Sequence, residues 1–206
     1  MPGPVAGIAL VGGAFFLGAI PWGYLAGRAA AGIDLRAVGS GGTGATNVLR
    51  TLGPRLSALV FVLDFAKGMI PVVAAAALGF GPPWIAAAAV AAVAGHCWSP
   101  FIGFKGGKGV ATGAGAAIAL FPPVLVVLPI MAAVVWATRY VSLGSLVAAG
   151  LAALLATALA LTGRLDASAA VAIVAVATII FIRHEANIRR LLGGTERRIG
   201  ETVSVR

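Results

Sequence analysis

Long apolar stretches alternate with three short polar segments along this 206-residue chain. The apolar runs predict membrane-spanning helices over about 5–26, 56–78, 84–97, 110–121, 124–138, 141–161 and 167–182. A full crossing takes about 20 apolar residues, so the third run is short. Pro21 falls near the end of the first run, where a kink is tolerable if neighbours satisfy the freed carbonyls. The stretch 110–138 is interrupted by Pro122, Pro123 and Pro129, and reads either as one over-long span or as two meeting at the proline pair. Gly79–Pro83 and Gly163–Asp166 are turns. Met1–Ile20 lacks a positive leader and a convincing small-residue cleavage site, so it reads as a retained first span. No repeat of 20–50 residues stands out.

Composition fixes the class. Residues are 60% hydrophobic and only 10% charged, against roughly 25% charged in soluble domains. The expectation is an all-α integral membrane protein with one domain over 1–206. Net charge is +9. In a soluble protein that would suggest nucleic acid. Here the basic residues sit between apolar runs, so no nucleic-acid partner is expected, and anionic headgroups or phosphorylated substrates fit better. If 110–138 is two spans, thirteen of the fifteen Lys and Arg residues share one face, with Arg164 opposite and Lys67 within a span. Because Lys and Arg favour the cytoplasmic side, the reading is seven transmembrane helices, N-terminus outside and C-terminus cytoplasmic. Trp22, Trp84, Trp98 and Trp136 fall near the span ends, as interfacial anchors should. Cys97 is the lone cysteine, which excludes an intrachain disulfide; with two histidines and six acidic residues, no metal site is expected.

The polar segments carry the candidate chemistry. In Gly39-Ser40-Gly41-Gly42-Thr43-Gly44-Ala45-Thr46-Asn47, glycines let the backbone aim several N–H groups at one anion. Ser40, Thr43, Thr46 and Asn47 add donors, and Arg36 and Arg50 bracket the run. It is a phosphate cradle or a flexible loop. Lys105-Gly106-Gly107-Lys108-Gly109 repeats the logic without a Walker ending, and is a second phosphate site or a positive-inside anchor. If the last helix continues past Arg183, His184 and Asn187 lie three apart on one face, with Arg183 and Arg190 at nearby angles. That arrangement binds a polar substrate or serves as a snorkelling basic cap. His96 is a structural hydrogen-bonder or a base. Asp64 and Lys67, three apart within a span, neutralise one another or face a watery site; each unpaired charge would cost about 2.5–3.5 kcal/mol at mid-bilayer.

These residues resemble the bacterial acyl-phosphate:glycerol-3-phosphate acyltransferases, the PlsY family. The match runs through Ile20-Pro21-Trp22-Gly23-Tyr24-Leu25, Asp34-Leu35-Arg36, Gly39-Ser40-Gly41, Gly44-Ala45-Thr46-Asn47, Asp64 and Lys67-Gly68. It continues in Gly95-His96, Pro100, Phe101 and Phe104-Lys105-Gly106-Gly107-Lys108-Gly109-Val110-Ala111-Thr112, then in Arg183-His184, Asn187-Ile188, Arg190-Leu191, Gly194, Glu196 and Gly200. The family usually has asparagine where this chain has Gly42. The resemblance implies a multi-pass enzyme of the bacterial cytoplasmic (inner) membrane, its active site on the cytoplasmic face. It would acylate the 1-hydroxyl of glycerol 3-phosphate from acyl phosphate, the first acylation of phospholipid synthesis, with no cofactor, metal or acyl-enzyme. Ser40, His184 and Asn187 are the implied catalytic residues. The first loop, Ser40 to Asn47 with Gly41, Thr43, Gly44 and Thr46, would serve the acyl phosphate, and Arg50, Lys105, Lys108, His184 and Asn187 would hold the glycerol 3-phosphate; Gly39 belongs to the binding set. His96, Gly106, Gly107 and Arg183 would complete the binding set. The rival readings are a transporter of a phosphorylated solute and a non-catalytic anionic-lipid scaffold.

Overall fold

The computed structural model describes residues 2–201, and all regular structure among them is helical; Arg206, counted above with the basic tail, lies outside them. Ten α-helices follow one another: α1 Pro4–Ala19, α2 Trp22–Ala31, α3 Ala45–Leu52, α4 Pro54–Ala77, α5 Pro82–Cys97, α6 Val110–Leu120, α7 Val127–Thr138, α8 Val141–Leu161, α9 Ala167–Arg183 and α10 Glu185–Leu192. Proline opens α1, α4 and α5, where its missing N–H costs nothing. Asp166 caps α9, its Oδ1 accepting from the N–H groups of Ser168 (2.8 Å) and Ala169 (3.3 Å).

Two apolar stretches break at their prolines. The run at 5–26 is not one helix. It breaks at Ile20-Pro21 into α1 and α2, because proline cannot donate to the preceding turn. The freed carbonyls are satisfied from neighbouring segments: Ser99 Oγ donates to Ala19 O at 2.6 Å, and Lys67 Nζ to Ile20 O at 2.7 Å. Between 110 and 138 the chain forms α6, a 3-10 turn over Pro122–Val126, and α7. Eleven-residue α6 is about 16 Å long, half of a hydrocarbon core. Four segments are long and apolar enough to cross a membrane, Pro4–Ala31, Pro54–Ala77, Pro82–Ile102 and Val141–Leu161; α9 with α10 makes a fifth if that bent pair is one span. Large apolar side chains such as Phe16, Phe61, Trp136, Leu154 and Val171 point outward, as a lipid-facing surface would.

Glycine makes the closest helix crossings. A Cβ at Gly18 would overlap the carbonyl oxygen of Ala92, and one at Gly95 that of Phe15, so α1 and α5 meet backbone to backbone. Gly68 against Thr112 O and Gly115 against Phe65 O do the same for α4 and α6. Apolar lipid gives no hydrophobic drive between helices, and close packing takes its place. The core joining α4, α5, α6, α8 and α9 is correspondingly small-chained: Val72, Val93, Ala116, Ala149, Val176 and Ile180. A second, smaller core of Leu35, Val48 and Val60 seats the first polar segment on α4.

Replacing Gly68 by valine forces Thr112 away from α4, and overpacking of this kind costs about 1–3 kcal/mol. A thermal-unfolding series in detergent should show a lowered midpoint for Gly68→Val and little change for Gly12→Val, where the added side chain meets open space.

Candidate functional site

The first loop is knotted by one side chain. Asn47, 2% exposed at the start of α3, directs Nδ2 toward the carbonyls of Leu35 (2.9 Å), Val38 (3.1 Å) and Gly42 (2.9 Å), while its Oδ1 accepts from Ser40 N at 2.9 Å. Its hydrogen-bonding capacity is thus taken up by the loop's own backbone. Gly39 has φ +60°, and any Cβ there would overlap Asn47 Oδ1, so glycine is required twice over. Arg36 forms a fork with Asp34 (Nη2–Oδ2 2.7 Å) and donates from Nη1 to Ile102 O at 2.7 Å, tying the first loop to the second. That fork holds Asp34 at a pKa of about 2.

The second loop doubles back on the end of α5. Gly106 N donates to Cys97 O at 3.2 Å and Gly107 N to His96 O at 3.1 Å. A side chain at Gly106 would overlap His96 O, and one at Gly107 the His96 ring, so these glycines serve packing. Arg183 clamps the outer side, donating from Nε to Gly107 O and from Nη2 to Gly106 O, each at 3.1 Å. Its guanidinium also lies over the Trp98 ring, 5.8 Å from the centroid. Lys105 is exposed, whereas Lys108 is half-buried just before α6.

The third segment bends by 60° at His184, so the last helix does not run on as the sequence reading supposes. The bend keeps the i, i+4 bond from Ile188 N to His184 O (2.9 Å), and His184 and Asn187 are both buried. Glu196 orders this corner. Its Oε1 accepts from Asn187 Nδ2 (2.6 Å) and Ser142 Oγ (2.8 Å), and its Oε2 from Arg190 Nε (2.7 Å). An ionised carboxylate only accepts, so Asn187 must present its amide nitrogen to Glu196 and its Oδ1 elsewhere. His184 Nδ1 lies 2.8 Å from Ile180 O. A carbonyl also only accepts, so Nδ1 carries the proton and Nε2 is a bare acceptor. Neither Asn187 Oδ1 nor His184 Nε2 has a hydrogen-bond partner among the described residues.

Charge at this corner follows from burial. Burial, with the charge of Lys108 beside it, lowers His184 to about 4, so the ring is neutral at physiological pH. Burial and the nearby Arg190, Arg50 and Arg183 bring Lys108 down to about 8, against the pull of Glu196. Burial pushes Glu196 upward, but the hydrogen bonds from Asn187, Ser142 and Arg190 hold it below the usual carboxylate range. Arg50 is lowered by burial, and its buried Nε has no partner among the described residues.

Two spaces adjoin these groups. Asp34, Arg36, Gly41, Lys105, Gly106 and Arg183 line a polar hollow of about 480 Å³, open to solvent between the first two loops. An apolar groove with about 70 Å³ of free space runs between α6, α7, α8 and α9, lined by Val110, Gly113, Met131, Ala149, Val176 and Ile180. Val110 is two residues from Lys108, and Ile180 is the residue whose carbonyl holds His184. A cationic polar corner thus meets an oily groove.

All three polar segments therefore come together, but their residues divide. Arg50, Lys108, His184 and Asn187 share the polar corner, Gly41 and Lys105 line the hollow, and Ser40 and Thr46 stay partly exposed on the first loop. Asn47, Thr43, His96, Gly39, Gly106 and Gly107 pack or bond within the loops; Thr43 is buried beneath Gly23, and His96 sits behind the second loop facing Asp64. Gly44 caps α3. Arg183 lines the hollow while fixing loop carbonyls. Glu196 and Ser142, which join Arg190 in ordering this corner, were given no role of their own in the sequence reading. For Glu196 the available signal was an acid set among the tail arginines, nine residues beyond Asn187 and part of the third motif. At Gly42, which is free of positive φ, an added Cβ would meet only Ser40 Oγ at 3.9 Å, so the missing asparagine removes a side chain without straining the loop. No group of three or more metal-ligating side chains gathers among the described residues.

A family model described as glycerol-3-phosphate acyltransferase matches residues 8–194. The glycerol-3-phosphate acyltransferase of Geobacter sulfurreducens is 45% identical over 186 residues, covering 90% of this chain and 93% of its own. That of Synechococcus sp. strain CC9902 is 48% identical, covering 91% and 92%. Among solved structures, PlsY, an integral membrane glycerol 3-phosphate acyltransferase, in its glycerol 3-phosphate form is 40% identical and superposes with a TM-score of 0.87 over 95% of this chain and 96% of its own. Its lysophosphatidic acid form gives 0.85 at 38% identity, with the same coverage of both chains.

Anion binding at the corner should follow the Lys108 ammonium. The charged form is present below its pKa of about 8 and is lost above it. Phosphate affinity measured by titration calorimetry should therefore weaken roughly fivefold between about pH 8 and about pH 9, as the charged fraction falls from about a half to about a tenth. Lys108→Arg should keep its affinity across that interval, since guanidinium stays charged.

Proposed function

Because the chain belongs to the glycerol-3-phosphate acyltransferase family, we infer that it is a membrane enzyme that moves a fatty acyl group onto glycerol 3-phosphate, with acyl phosphate as the donor. The observation that carries the donor assignment is the meeting of the apolar groove with the cationic corner at Val110 and Ile180. The groove's apolar lining suits a fatty chain, and the charged loops suit a phosphate. Acyl phosphate carries both and is already an activated mixed anhydride, so positioning and charge stabilisation suffice for reaction.

In this reading the glycerol 3-phosphate phosphate meets Arg50, Lys105 and Lys108. Its glycerol hydroxyls donate to the two open acceptors, Asn187 Oδ1 and His184 Nε2. Ser40 and the first-loop backbone hold the phosphate of the donor. The 1-hydroxyl oxygen attacks the acyl carbonyl carbon. An ester C–O bond forms as the C–O bond to phosphate breaks, and the hydroxyl proton leaves on the departing phosphate. His184 orients the nucleophile; at a pKa of about 4 it is a weak base. His96, behind the second loop, is not placed to act as one.

The same reading takes the seven apolar segments as spans, with α1–α2 and 122–138 each counted once. The N-terminus is then outside, and the site is on the cytoplasmic face of a bacterial inner membrane. The transporter reading is not favoured, since the relatives are acyltransferases and the polar segments gather at one face.

Purified protein in lipid should release phosphate from palmitoyl phosphate only when glycerol 3-phosphate is added, and should give lysophosphatidic acid. Palmitoyl coenzyme A offered instead should not turn over; turnover with the thioester and not with acyl phosphate would refute the donor. Glu196→Gln no longer dictates which end of Asn187 faces the substrate. Losing one such oriented hydrogen bond should lower kcat/KM by roughly ten- to a hundredfold, with Glu196→Asp retaining more activity than the glutamine variant.

A further inference from the structure

We infer that Asp64, Lys67 and His96 form a buried positioning device that sets the two glycine loops in register with each other. None of the three reaches the polar corner, yet they form an unbroken run of contacts between the loops. At one end, Lys67 Nζ donates to Ile20 O at 2.7 Å, on the proline break from which α2 leads to the first loop. The same Nζ lies 2.7 Å from Asp64 Oδ1. That oxygen is 3.5 Å from His96 Nδ1. The His96 ring fills the space that a side chain at Gly107 would need, and His96 O accepts from Gly107 N at 3.1 Å. Gly107 O in turn accepts from Arg183 Nε at 3.1 Å, at the head of the third segment.

The chemistry argues for a role beyond cohesion. Asp64 and Lys67 are 1% and 2% exposed. Buried ion pairs commonly add little net stability over an apolar pair of similar volume, while losing one partner strands a charge. What such a pair does provide is direction: it holds α4, the α1–α2 break and the end of α5 in one relative setting. The second loop rests on His96, so a shift of His96 moves the carbonyls that Arg183 grips and, with them, Lys105 and Lys108. A misplacement of about 1 Å in groups that hold substrate is enough to cost roughly a hundredfold in rate.

The test uses acyl transfer as its readout and so rests on that reading; wild-type protein in the same assay separates the two, since inactive wild type would count against the reading itself. Asp64→Asn with Lys67→Met removes both charges without stranding either. The expected result is folded protein by gel filtration and thermal unfolding, with kcat/KM for glycerol 3-phosphate down roughly a hundredfold. A purely structural pair would instead lower the unfolding midpoint and leave the kinetics of the folded fraction unchanged. Combination with Arg183→Lys adds a coupling measurement. If both act on the second loop, the combined variant is no slower than the slower parent; losses that multiply would overturn the proposal. Should the paired variant fail to fold, His96→Gln gives the decision, because it keeps the ion pair and withdraws the ring from Gly107. It is expected to lose kcat/KM to a similar degree, and unchanged kinetics there would overturn the proposal.

Discussion

A backbone carbonyl or N–H away from water must find a partner, and this constraint governs the region where the three polar segments meet. In a chain this poor in polar residues, most of the side chains that could bind a ligand are needed by the protein itself. Asn47 holds three carbonyls of the first loop. Lys67 and Ser99 satisfy the carbonyls freed at Pro21, Arg36 reaches Ile102, and Arg183 grips Gly106 and Gly107. Each leftover buried group would cost about 1–3 kcal/mol. What remains after these demands is short: Arg50, Lys105, Lys108, the partly exposed Ser40 and Thr46, and the acceptor atoms of His184 and Asn187. The site is defined by subtraction.

That subtraction also explains the site's balance of donors and acceptors. The loops supply N–H groups and cations suited to phosphate. Glycerol hydroxyls need acceptors as well, and acceptors are scarce in a face with so few acids. Glu196 and Ile180 O solve this indirectly. By occupying the N–H of Asn187 and of His184, they turn the opposite ends of both side chains into acceptors. A carboxylate that never touches substrate in this account thereby decides what its neighbour can recognise. The apolar groove between α6 and α9 ends at the same corner, at Val110 and Ile180.

The helical segments were legible from hydrophobic runs alone: the sequence places a helix over 56–78 and α4 covers Pro54–Ala77; it places one over 141–161 and α8 has those bounds. Glycine and lysine spacing was enough to single out the three polar segments. What the runs could not show was the break at Pro21, which depends on Lys67 and Ser99 arriving from other helices, or the 60° bend at His184. Nor could they separate Asn47 from Asn187. Both are asparagines in polar, helix-starting segments; one faces a loop with unpaired carbonyls, the other a lone carboxylate nine residues on. The same limit applies to Gly106 and Gly107, whose need for glycine comes from the His96 ring and not from a ligand.

The claim that most depends on this account is the division between scaffold and substrate contacts, and Asn47→Ala beside Asn187→Ala tests it most directly. Unfolding midpoint and turnover would be measured on both purified proteins. The account predicts a clear loss of stability for Asn47→Ala, which strands loop carbonyls, and a near-native midpoint with strongly reduced turnover for Asn187→Ala. An Asn47→Ala protein as stable as wild type yet inactive would contradict it, because Asn47 would then be a substrate contact and the loop would not need it to fold.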